Sequence, residues 1–171
     1  MKYNYVGNTG LLVSELCFGT MTFGGQDAGI WEAIGKLQQK EVNEIIRTVL
    51  DAGINFIDTA NVYSYGQSEQ LLGQSLKDLG IQRDNVIIAT KVLGRMNSQP
   101  NSLGLSRYHL FNSVNQSLQR LHLSRVPKKR VAVQRDTLAS SDDRRTWKAH
   151  TKRASASEQG QWGRSPRGRK L

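Results

Sequence analysis

Asn55-Phe56-Ile57-Asp58-Thr59-Ala60-Asn61-Val62-Tyr63-Ser64-Tyr65 is the stretch on which the reading of this chain turns. The apolar pair Phe56-Ile57 runs directly into Asp58, and Tyr63 follows five residues later. A second apolar run, Val86-Ile87-Ile88-Ala89, ends in Thr90 and Lys91. An acid, a phenol and an amine therefore each stand at or just past the end of a segment that reads as a buried strand. Rigid strands that aim polar side chains from their ends into one mouth are how an α/β enzyme presents its chemistry.

Working outward, helices flank both runs. Val42, Ile45, Ile46, Val49 and Leu50 recur at i, i+3, i+4, i+7 and i+8 and predict a helix over 40–52, stopped at Gly53. Leu71, Leu72, Leu76 and Leu79 predict a second over 68–79, stopped at Gly80. Ser106 can cap a third, with the stripe Leu110, Val114, Leu118 and Leu121. Upstream, Gly7-Asn8-Thr9-Gly10 lies between two apolar-containing arms over Tyr3 to Val13 and predicts a β-hairpin. Ser14 to Phe18 reads as a short strand ending at Gly19, and the glycine-rich 20–39 as a loop. The order is a hairpin and then three β-loop-α units, the signature of a parallel α/β fold. Four apolar residues in a row at 86–89 point to burial on both sheet faces. A barrel and a doubly wound sheet both fit this pattern. No glycine fingerprint for dinucleotides follows any strand.

Charge divides the chain. Residues 1–126 carry 11 Lys+Arg and 10 Asp+Glu; residues 127–171 carry 13 and 4. The first part is an ordinary near-neutral globular sequence. In the second the large apolar residues are Val131, Val133, Leu138, Trp147, Trp162 and Leu171, without period. That is too little apolar surface to offset the entropy of ordering, so a disordered basic tail is expected, with a short strand considered at Val131–Val133. Its charge suits non-specific phosphate binding, yet no stacking aromatic series or recognition helix accompanies it, so the expectation is a solvated tail rather than a nucleic-acid interface. The single cysteine, Cys17, permits no internal disulfide and reads as a buried core thiol. Met1 to Gly10 lacks an apolar signal core, and no run approaches the roughly 18 apolar residues of a membrane span, so a cytoplasmic protein is the default. His109, His122 and His150 have no metal-ligand spacing with one another or with an acid.

The chemistry of the trio is coherent. A tyrosine hydroxyl serves as a general acid when a neighbouring ammonium favours its anion, and Lys91 is the candidate. A buried lysine keeps its proton when a carboxylate faces it, and Asp58 is the candidate. Such a donor protonates a carbonyl oxygen as hydride reaches its carbon. Plainer readings exist for each: a turn aspartate, a rim aromatic and a solvated strand-end lysine.

At these residues the chain resembles the aldo-keto reductases. The matching stretches are Gly7 to Ser14, Phe18-Gly19-Thr20-Met21-Thr22-Phe23-Gly24-Gly25 and Ile57-Asp58-Thr59-Ala60-Asn61-Val62-Tyr63. They continue in Ser68-Glu69-Gln70-Leu71-Leu72-Gly73, Ala89-Thr90-Lys91, Gly104-Leu105-Ser106-Arg107 and Ser117-Leu118-Gln119-Arg120-Leu121. The resemblance implies a (β/α)8 TIM barrel closed at its base by the hairpin. Here residues 1–126 would form a partial barrel of about three βα units, followed by the 127–171 tail. It implies NADP(H)-dependent reduction of small-molecule aldehydes or ketones. Three members of the family's Asp, Tyr, Lys and His tetrad map to Asp58, Tyr63 and Lys91. Gly19, Thr20 and Met21 match the segment approaching the nicotinamide end of the cofactor, and Asp58 is counted with them. After the third helix comes Pro127-Lys128-Lys129-Arg130, where the family has a fourth strand ending in the tetrad histidine. The expectation is an incomplete or frameshifted chain, unstable or molten, with little activity. Two alternatives stand beside it: a binding subunit like the potassium-channel β subunits, which share this barrel and the Gly104–Arg107 stretch, and nucleic-acid association through the tail.

Overall fold

A computed structural model describes residues 1–26 and 29–123 of the chain. The expectations for the tail, including the strand at Val131–Val133, lie outside the described residues. Tyr3–Tyr5 (β1) pairs antiparallel with Leu12–Ser14 (β2), Tyr3 facing Ser14. Gly10 takes φ 73° at the end of the connecting turn, a conformation a side chain would oppose. The Tyr3 hydroxyl donates to the Gly53 carbonyl at 2.7 Å, and the Ser14 N–H donates to Asn55 Oδ1 at 2.7 Å. The hairpin is thereby fastened where the strand after Asn55 begins, at the N-terminal end of the sheet. The expected strand over 14–18 is instead broken: Ser14 Oγ donates to the Leu16 carbonyl at 2.6 Å, closing a bend before Phe18–Gly19 (β3).

Three parallel strands follow in the order β3, Phe56–Asp58 (β4) and Ile87–Ala89 (β5). Phe18, Ile57 and Ile88 share one row, and Gly19, Asp58 and Ala89 the next. After them come the helices Gln39–Asp51 (α1), Gln67–Asp78 (α2) and Arg107–Arg120 (α3). Alternation along a strand sends successive side chains to opposite faces. The face carrying Ile57 packs on the helices, in a cluster with Phe23, Val42, Ile46, Leu72, Leu76, Val86 and Leu121. The face carrying Phe56, Asp58, Ile87 and Ala89 is only partly covered. Burial of both faces was expected; among the described residues one face is buried. A barrel interior is filled by side chains from strands across it, and three adjacent strands supply none. No closed barrel forms among the described residues.

Two further differences have local causes. The loop over 20–39 contains a 3-10 turn at Gly29–Ala33 and a parallel bridge between Phe23 and Leu37. Its backbones cross so closely that a Cβ on Gly35 would lie 2.3 Å from the Thr22 carbonyl oxygen. In α3 the most buried residues are His109, Ser113 and Ser117, continued by Leu121, one position earlier than most of the expected leucine stripe. Leu110, Val114 and Leu118 are half-buried beside them. At Gly73 of α2 an added Cβ would meet the Arg120 and Leu121 backbone at 2.7 Å, so the end of α3 is held against α2 by backbone rather than by its leucine stripe.

Candidate active site

Asp58 closes β4. Lys91 stands two positions past Ala89, the last residue of β5, and so projects to the same face as Asp58. Its Nζ donates to Asp58 Oδ2 at 2.5 Å and to the Thr59 carbonyl at 2.9 Å. It also lies 5.1 Å from the centroid of the Tyr63 ring. The two charged side chains are 22 % and 31 % exposed. A pair this open stabilises the fold by about 1 kcal/mol or less, so its effect is to hold an ammonium at a chosen place.

Tyr63 opens a tight turn, Tyr63–Gly66, in which Ser64, Tyr65 and Gly66 have φ of 49°, 51° and 96°. Left-handed backbone at two non-glycine residues costs about 1–2 kcal/mol each. Neighbours hold it there: buried Ser64 donates from Oγ to the Phe23 carbonyl at 3.0 Å, and the Tyr65 N–H bonds the Val62 carbonyl at 3.0 Å. Gln67 accepts from the Gly25 N–H at 3.1 Å, tying the turn to the first loop. Strain concentrated beside a chemically competent group is a mark of a functional site.

The residues expected at the nicotinamide end divide. Gly19 is exposed in the row of Asp58, and a Cβ there would meet nothing within 4 Å. Met21 is 45 % exposed. Thr20 is fully buried, its hydroxyl 2.9 Å from that of Ser68 and its carbonyl accepting from Ser68 and from the Phe23 N–H, so it presents nothing to the mouth.

Cys17 is exposed rather than a core thiol, because β3 begins one residue later and its open face has no covering layer. Partial desolvation of the sulfur raises its pKa, Asp58 raises it further, and Lys91 acts the other way. Sequence patterning also passed over Trp31, whose ring packs edge-on against Tyr63 at 5.8 Å and Tyr65 at 6.5 Å. An aromatic in an aperiodic loop gives periodicity nothing to register. Among the described residues no three His, Cys, Asp or Glu cluster as metal ligands, and no helix is long and apolar enough to cross a membrane.

A trio of acid, phenol and amine at the C-terminal ends of parallel β/α units invites comparison with known proteins. A model of the aldo/keto reductase family matches residues 15–127. The chain belongs to the aldo/keto reductase family. It is 38 % identical over 127 residues to a probable voltage-gated potassium channel subunit beta of Oryza sativa subsp. japonica, covering 74 % of this chain and 35 % of that protein. It is 37 % identical over 134 residues to the uncharacterized oxidoreductase YrpG of Bacillus subtilis, covering 74 % and 38 %. Among solved structures, the holo form of an aldo-keto reductase, AKR11C1 from Bacillus halodurans, superposes with a TM-score of 0.58 at 32 % identity, over 74 % of this chain and 38 % of that one. This aldo/keto reductase chain thus spans little more than a third of the length of the relatives it matches. The β/α units described above are part of a TIM-barrel-like fold.

Proposed function

We propose that this chain carries the proton-donating part of a site for NADP(H)-dependent reduction of small aldehydes or ketones to alcohols. The observation that carries the reading is the Lys91–Asp58 pair at 2.5 Å, set against the Tyr63 ring where parallel strands end. In this reading the Tyr63 hydroxyl gives its proton to the carbonyl oxygen. Negative charge develops on the phenol oxygen as the proton leaves, and the Lys91 ammonium stabilises it. Asp58 and the Thr59 carbonyl hold the Lys91 amine in place and aim it. When bound, the reduced nicotinamide supplies the hydride. Gly19, Met21 and Asp58 would hold its nicotinamide end, and the open surface over Gly19 fits a flat ring.

The test is turnover of an activated aromatic aldehyde by the purified 171-residue chain with NADPH, measured as alcohol formed at high protein concentration. Slow turnover is expected, falling about a hundredfold or more in Tyr63→Phe, the scale of a general-acid contribution. Alcohol formed equally by both proteins, or by neither, overturns the reading. A second reading draws on the Oryza sativa relative named as a channel β subunit: a binding subunit that takes up NADPH with no Tyr63-dependent turnover.

A further inference from the structure

Each strand of the parallel sheet is followed by a threonine: Thr20 after β3, Thr59 after β4 and Thr90 after β5. Gly19, Asp58 and Ala89 lie in one row, so the threonines form the next row. They project to the helix side, opposite to Asp58 and Lys91. Two consecutive residues in the first turn of α2 grip all three. Ser68, fully buried, donates to the Thr20 carbonyl at 2.7 Å, and its hydroxyl lies 2.9 Å from that of Thr20 and 3.4 Å from that of Thr59. Glu69, fully buried, accepts from the Thr90 hydroxyl at 2.6 Å on one oxygen and from Arg120 Nε at 2.7 Å on the other. Arg120 in turn floors the Tyr63 turn: a Cβ on Gly66 would lie 2.7 Å from its Cδ.

A buried carboxylate is costly to desolvate unless charge and hydrogen bonds meet it. Glu69 is met by the guanidinium, by the Thr90 hydroxyl and by the positive end of α2. An apolar pair of similar volume would pack this junction with less desolvation. What the charged arrangement adds is direction. It ties the residue before Lys91 to the cation beneath the turn that Tyr63 opens. Ser68, one position earlier, ties the residue after Asp58 to the end of β3.

We infer that Ser68, Glu69 and Arg120 are positioning residues: a clamp made by the first turn of α2 and the last residue of α3 sets the height and spacing at which Asp58, Tyr63 and Lys91 emerge. The inference rests on the proposed reading of that trio, and its test measures geometry rather than turnover, so the two can fail separately.

The test is amine acetylation of the full chain, read by mass spectrometry as the Lys91 rate relative to exposed Lys77. Thr90→Val keeps the volume and removes the hydroxyl; Thr90→Ser restores it. The clamp predicts that the Lys91-to-Lys77 ratio rises about threefold or more in Thr90→Val, the scale on which a loosened ion pair frees its amine. It predicts the same direction in Glu69→Gln and a ratio near that of the parent chain in Thr90→Ser. Val49→Ala, which opens a cavity in α1 away from the clamp, is expected to leave the ratio in place. The inference is overturned if Thr90→Val leaves the ratio unchanged, if Val49→Ala moves it as far, or if Lys91 of the parent chain already reacts as fast as Lys77. Should Glu69→Gln fail to fold, the Thr90 pair and Val49→Ala decide alone.

Discussion

Cys17 offers the most local view of the site. Its sulfur is exposed, yet it feels both members of the ion pair: Asp58 discourages its ionisation and Lys91 favours it, with desolvation the larger effect. A raised pKa means that the thiol persists at a pH where a free cysteine is already partly thiolate. Alkylation followed against pH should therefore give a midpoint above the ordinary thiol range. The midpoint should fall in Asp58→Asn and rise in Lys91→Met. A midpoint that ignores Asp58→Asn would place Cys17 away from the pair. Residue by residue, the sequence was most telling where polar side chains meet at the strand ends. Asp58 and Lys91 stand out because each terminates an apolar run. Cys17 was misjudged for the same reason: apolar neighbours suggested burial, but alternation puts its side chain on the face that lacks a covering layer.

The elements are legible because their signals are strong and local. The stripe from Val42 to Leu50 and the stop at Gly53 place α1 within one residue of where it lies. In α3 the apolar stripe misleads. The end of α3 meets α2 at Gly73 through the Arg120 and Leu121 backbone, and no period in hydrophobicity reports a backbone contact. The sheet shows the same limit, since a run of apolar residues does not say which face finds a partner. Ile57 is fully buried against the helices, while Ile87 lies half-exposed on the opposite face. Ile57→Ala should cost about 2–5 kcal/mol, as truncations in a packed core do. Ile87→Ala should cost about 1 kcal/mol or less, as changes outside such a core do. Equal losses in denaturant unfolding would mean that both faces are packed.

For the molecule as a whole, the helix side of the sheet holds a contiguous apolar cluster and the strand ends hold the trio, so fold and site are built from the same three units. The hairpin closes one end of those units and the polar groups gather at the other, the division of labour between stability and chemistry seen in barrels. This arrangement was readable in the order of hairpin, strands and helices. The openness of the inner face was not, because it depends on strands that would stand across from these three. In the proposed reaction hydride arrives at a carbonyl carbon while Tyr63 protonates the oxygen. The most direct test supplies NADPH deuterated at the transferable position of its nicotinamide, together with an aldehyde, and locates the label in the product. Deuterium on the carbinol carbon, formed by the parent chain and lost with Tyr63→Phe, is the predicted result; an alcohol without the label, or labelled alcohol formed as fast without the Tyr63 hydroxyl, would contradict it.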